Sequence, residues 1–170
     1  MPNAPISREM VHSLAEACSD AGDNFQSTAT RLIKEQRRLS RFVEQQMPAM
    51  GQLSGQVALY MLTVSMRVFE QMGGRLGKVS GADIDAASAK VNALAESLFP
   101  ADAGFGERAK TVAERAQPNL LDEVLWALYE REDKKEGEVD VDPEQSALVY
   151  LVLWVAIEAL DANWKPAVEA

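Results

Sequence analysis

Apolar residues recur along this chain at intervals of three and four, and the stretches between them are rich in glycine, proline and acidic residues. That interval is the one an α-helix needs to keep a stripe facing inward. Met10, Val11, Leu14 and Cys18 form a first stripe behind Ser7, a residue type suited to capping. The break at 20–23 is followed by Asp23 or Asn24 as the cap of a longer helix. Its stripe is Phe25, Ala29, Leu32, Ile33, Leu39, Val43 and Met47, and Pro48 ends or kinks it.

A third helix is expected over 52–72, strongly apolar between Val57 and Phe69. Its polar residues Gln56, Thr63, Arg67 and Glu70 fall on one narrow seam with Tyr60, and Gly73-Gly74 suits a left-handed stop. Residues 80–99 read as an Ala-rich fourth helix burying Ile84, Ala87, Val91, Leu94, Ala95 and Leu98. A turn at 100–106 leads to a short fifth helix over 107–116, ended before Pro118. A sixth over 120–132 buries Leu121, Val124, Leu125 and Leu128, and 133–142 is a charged loop.

The last helix carries the strongest signal. Asp142-Pro143-Glu144 has the chemistry of a helix start, and Ala147 to Ile157 are eleven consecutive apolar residues. A helix apolar on every side must be enclosed. With no sustained strand alternation and no fixed repeat, the pattern predicts an all-α protein. We expect a single bundle of about seven helices, one domain over 1–170, with 52–72 and 143–163 as its central apolar helices.

Charge narrows the partners. The 170 residues hold 17 Lys and Arg against 26 Asp and Glu, a net of −9, which opposes nucleic acid and anionic membranes as main partners. The halves differ: residues 1–80 have nine bases and seven acids, residues 81–170 eight bases and nineteen acids. The charge-free stretch 45–66 is too polar in its first half to span a membrane, despite Gly51-x-x-x-Gly55. The first residues lack the basic and apolar blocks of a secretion signal, and Cys18 is the single cysteine, so a cytoplasmic location is expected.

Candidate chemistry is sparse. Gly73 to Ser80 resembles a phosphate loop only superficially: three residues separate Gly73 from Gly77, Val79 stands at the hydroxyl position and a helix precedes it. Residues 133–144 have the length of a calcium loop, but Lys135 sits at a ligand position and Gly137 is one place early. His12 is the single histidine, which leaves little for metal binding or nucleophile activation, and no cofactor fingerprint is present. Glu158 and Asp161, at helical spacing near the end of the last helix, are the acids best placed for a metal, with Glu123 as a third ligand and Arg67 guarding the cleft. The simpler expectation is that they form a wet edge neutralised by Arg67.

The basic run Arg31, Lys34, Arg37, Arg38, Arg41 is the strongest local electrostatic feature. It is suited to a phosphate-bearing ligand, a nucleic acid or an acidic partner, the nucleic-acid version being weakened by the net charge and the lack of interleaved aromatics. The simpler expectation is a solvated helix face that meets the acidic C-terminal half. Tyr60 and Trp154 are candidate anchors should surplus apolar surface meet another chain, and Met61, Met66 and Trp154 are candidate pocket lining. The sequence therefore points to a non-enzymatic protein-interaction or regulatory module, self-associating into a homo-oligomer. A helical metal-dependent hydrolase is the alternative.

Overall fold

A computed structural model describes residues 2–130 and 142–167. The chain is an all-α helical bundle. Helix α1 (Arg8–Ala21) starts at Ser7, whose hydroxyl accepts the Met10 amide at 3.2 Å. Helix α4 (Gln52–Gln71) and helix α8 (Pro143–Ala162) are the two long apolar rods. Ser54 donates to the Gln145 side chain at one end of the pair, and Phe69 packs edge-on against Trp164 at the other, so the two helices run in the same direction. Asp142 caps α8 by accepting the Gln145 amide, and Pro143 takes the first helical position, where a missing N–H costs nothing. From Leu153 to Asp161 every residue of α8 is buried. By length and composition α8, not the stretch 45–66, is apolar enough to cross a membrane, yet 72% of its most apolar window is buried against this chain.

Around these rods pack α2 (Phe25–Glu35), α3 (Arg37–Met50), α5 (Gly81–Ala95), α6 (Phe105–Lys110) and α7 (Pro118–Leu125). Lys90 meets Glu158 and Asp83 meets Asn163, which sets α5 antiparallel to α8. A reciprocal capping box fixes the start of α5: Ser80 Oγ accepts the Asp83 amide, and the Asp83 carboxylate accepts the Ser80 amide at 2.9 Å.

Four expected boundaries move. The second helix is divided at Gln36, where φ of −111° and ψ of 53° break the helical path between α2 and α3, and α3 runs past Pro48 to Met50. The fourth helix ends at Ala95 and tightens into a 3₁₀ turn over Glu96–Leu98. The fifth ends at Lys110, because the next residues turn inward and bury Arg115. The sixth starts at Pro118, which opens the helix instead of ending its predecessor, and loosens into a wider π-turn over Trp126–Glu130. The candidate calcium loop and the acids Asp133, Glu136 and Asp140 fall outside the described residues apart from its last three positions, Asp142 to Glu144.

A two-residue antiparallel clip, β1 (Arg75–Leu76) with β2 (Trp164–Lys165), follows the ends of α4 and α8 and was not signalled by the hydrophobic pattern. It demands glycine at 74, where φ is +77° and a Cβ would stand 2.2 Å from the Lys165 carbonyl oxygen.

Candidate functional site

The acids nominated for metal binding occupy three separate settings. Glu158 lies between α8 and α5 with every oxygen engaged: Oε1 accepts the Ala116 amide at 2.8 Å and the Trp154 indole N–H at 3.1 Å, and Oε2 pairs with Lys90 Nζ at 2.9 Å. Its counter-ion is Lys90, not Arg67. Arg67 pairs with Glu70 one turn along α4. Asp161, 3% exposed, accepts the Asn3 amide at 3.0 Å and the Gln117 side-chain amide at 2.9 Å. Glu123, on α7, receives Arg8 and His12 from α1, with His12 Nδ1 2.8 Å from Oε1. Among the described residues no three acids, cysteines or histidines converge in a metal-binding group.

The aromatic candidates separate as well. Trp154 is wholly buried and so belongs to the core, tilted against Tyr150 at 5.7 Å. Met66 is likewise buried and Met61 half-buried, and both pack into the core cluster. Tyr60 is 44% exposed, with its ring edge-on to Phe25 on α2.

The basic run behaves differently. Arg31 holds Glu70 through both guanidinium arms at 2.7 and 2.8 Å and also reaches Glu35, so those charges are spent on joining α2 to α4. The twin bonds from Arg31, helped by Arg67, hold the Glu70 carboxyl below its ordinary pKa. Lys34, Arg37, Arg38 and Arg41 are all exposed and have no carboxylate partner among the described residues. They surround the elbow at Gln36. That glutamine is 5% exposed because its side chain reaches across to the segment before α5, donating to the Gly77 carbonyl at 2.9 Å and accepting the Val79 amide at 3.0 Å. The same stitch brings to the elbow Lys78, a fifth exposed cation with no carboxylate partner among the described residues.

Two surface hollows flank this pin. One, of about 500 Å³, is lined by Ser27, Thr30, Arg31, Lys34, Glu35 and Lys78. The other, of about 470 Å³, is lined by Arg38, Arg41, Phe42, Gln45, Gly81, Ile84 and Asp85. Arg38 stretches over the first residue of α5, where a Cβ on Gly81 would lie 3.1 Å from its Nη1. The cations are also badly placed for the fold alone. Arg37 and Arg38 occupy the first turn of α3, the positive end of the helix dipole, with no acid in that turn. The basic run is contiguous in the sequence, whereas Lys78 comes beside it through the bonds from Gln36 to residues 77 and 79.

The fold defines an all-α helical bundle whose most distinctive surface is a cationic elbow on an acidic molecule. No protein family, curated protein or solved structure matches this chain.

Proposed function

We propose that this protein is a non-catalytic interaction module of the cytoplasm, and that the α2–α3 elbow is its contact surface for a protein partner. The observation that carries the reading is the set of five exposed cations, Lys34, Arg37, Arg38, Arg41 and Lys78, which have no carboxylate partner among the described residues of a chain with a net charge of −9. Among the described residues no acid neutralises this patch, and the local repulsion of its like charges is what an acidic partner would relieve. The net negative charge does not forbid this, because charges beyond about 8 Å are largely screened at physiological ionic strength and a partner at the elbow responds to the near ones.

The test uses the double variant Arg38→Glu/Arg41→Glu, both positions exposed and outside the core. Partners retained by the wild-type protein are identified and rebound in purified form. The variant should keep its circular dichroism and melting temperature and lose the purified partner at least tenfold. Equal retention of every purified partner by both proteins overturns the reading.

A further inference from the structure

The elbow's shape restricts what it can hold. Lys34 on α2 and Arg41 on α3 lie on either side of the break at Gln36, seven residues apart, with about 10 Å of rise summed along the two helices at about 1.5 Å per residue. A single small anion touches only one end of that span. None of the five cations is buried, so the surface is not the closed cradle that a lone phosphate or metabolite requires. An extended strand advancing about 3.3 Å per residue crosses the same distance in three or four residues. The occupant is therefore a short polyanion that runs from the Lys34–Lys78 hollow, over the Gln36 pin, to the Arg38–Arg41 hollow.

Two features choose between kinds of polyanion. The second hollow offers an apolar side, with Phe42 half-buried and Ile84 at its floor, suited to carbon-rich side chains more than to a sugar–phosphate backbone. Each hollow also contains an acid, Glu35 in one and Asp85 in the other, and the rest of the molecule is strongly negative. A nucleic acid places a charge every few ångströms and continues past the elbow into that repulsive surface. A run of a few carboxylates can end within it.

We infer that the elbow binds a short, extended, carboxylate-rich peptide segment of a partner protein, with its acids against Lys34, Lys78, Arg38 and Arg41 and an apolar side chain against Phe42. This rests on the elbow being the contact surface and adds the chemistry of what it contacts.

The experiment is fluorescence anisotropy of a labelled eight-residue glutamate peptide with one central leucine, titrated with the full chain at 50 and 300 mM NaCl. Wild-type protein should bind, Arg38→Glu/Arg41→Glu at least tenfold more weakly, and the control Ser97→Glu, an exposed position just past the far end of α5 from Gly81, like wild type. Affinity should fall several-fold at the higher salt. A labelled eight-nucleotide single strand should bind more weakly than the peptide. Peptide binding that is absent, or equal in the double variant, overturns the inference. So does an oligonucleotide that binds more tightly through the same arginines, or arginine-dependent self-association in sedimentation without peptide binding. Should the double variant lose its purified natural partner and yet no acidic peptide bind, the interaction reading stands and only this inference falls.

Discussion

Gln36 and Val79 are 43 residues apart and joined by a buried hydrogen bond of 3.0 Å, made at the residue where α2 gives way to α3. The second arm of the same amide holds the Gly77 carbonyl, so one side chain satisfies a donor and an acceptor of a segment that has left helical geometry. Gln36→Ala leaves both groups without these partners. We expect a loss of about 2 kcal/mol in denaturant unfolding, because unsatisfied buried polar groups cost about 1–3 kcal/mol each and part of this segment reaches water. Gln36→Glu should also destabilise, since a carboxylate can accept from Val79 but cannot donate to Gly77.

Glu158 is a second such hub. Glu158→Ala removes the acceptor for the Ala116 amide and the Trp154 indole and frees Lys90. Lys90 is about a third exposed and can turn to water, which keeps the cost near 2–3 kcal/mol, below that of breaking a fully buried pair. Glu158→Gln should lose less. Because protein donors already occupy the carboxylate, millimolar magnesium, manganese or calcium should leave the wild-type melting temperature unchanged. A metal-dependent rise would restore the hydrolase alternative.

His12 provides a pH signature. Its hydrogen bond to Glu123 is the largest influence and raises its pKa above the ordinary 6.5, against a smaller opposing effect of burial. A raised folded pKa means the charged ring is stabilised by folding. That contribution is fully present below about 6.5 and is lost as pH climbs through the folded value. His12→Gln should therefore destabilise the protein more at pH 6 than at pH 8.5. Since the chain has a single histidine, its imidazole proton resonances report the folded pKa without assignment.

Gly74→Ala tests the β clip. The new methyl would overlap the Lys165 carbonyl oxygen and the Ala167 amide, both backbone groups that cannot rotate away. The clip must open, at an expected cost of about 2 kcal/mol or more for a strained left-handed position combined with a clash. Trp164 should report it, because its indole donates to the Gly73 carbonyl and packs on Phe69. Its emission should shift to longer wavelength.

The legible parts of the fold were those decided by neighbours in sequence. Asp142-Pro143-Glu144 launches α8, Ser7 caps α1, and the unbroken apolar run 147–157 packs mostly in the core. The elbow was hidden because Leu32, Leu39 and Val43 keep helical phase straight through Gln36. What breaks the helix is a bond to residues 77 and 79, and no local spacing records it. The partner of Glu158 was misread for a related reason. Helical spacing placed Arg67 and Glu158 on the two central rods, but Lys90 on α5 faces the acid, and sequence cannot choose among neighbours. Of the basic run, Arg31 turned out to be structural and its downstream companions open, a division set by where Glu70 lies.

The Asp161 cluster bears on the order of assembly. Asn3 bonds Asp161 through its backbone amide and its side chain, and the side chain also reaches the Trp164 carbonyl. These contacts join positions 158 and 161 residues apart, so they close nearly the largest loop the chain can make. Closing such a loop costs conformational entropy, and the cost falls once the intervening helices have compacted it. We expect the segment before α1 to dock after the bundle has formed, and protection of the Asn3 amide against hydrogen exchange would read out how often the finished bundle loosens at that seam.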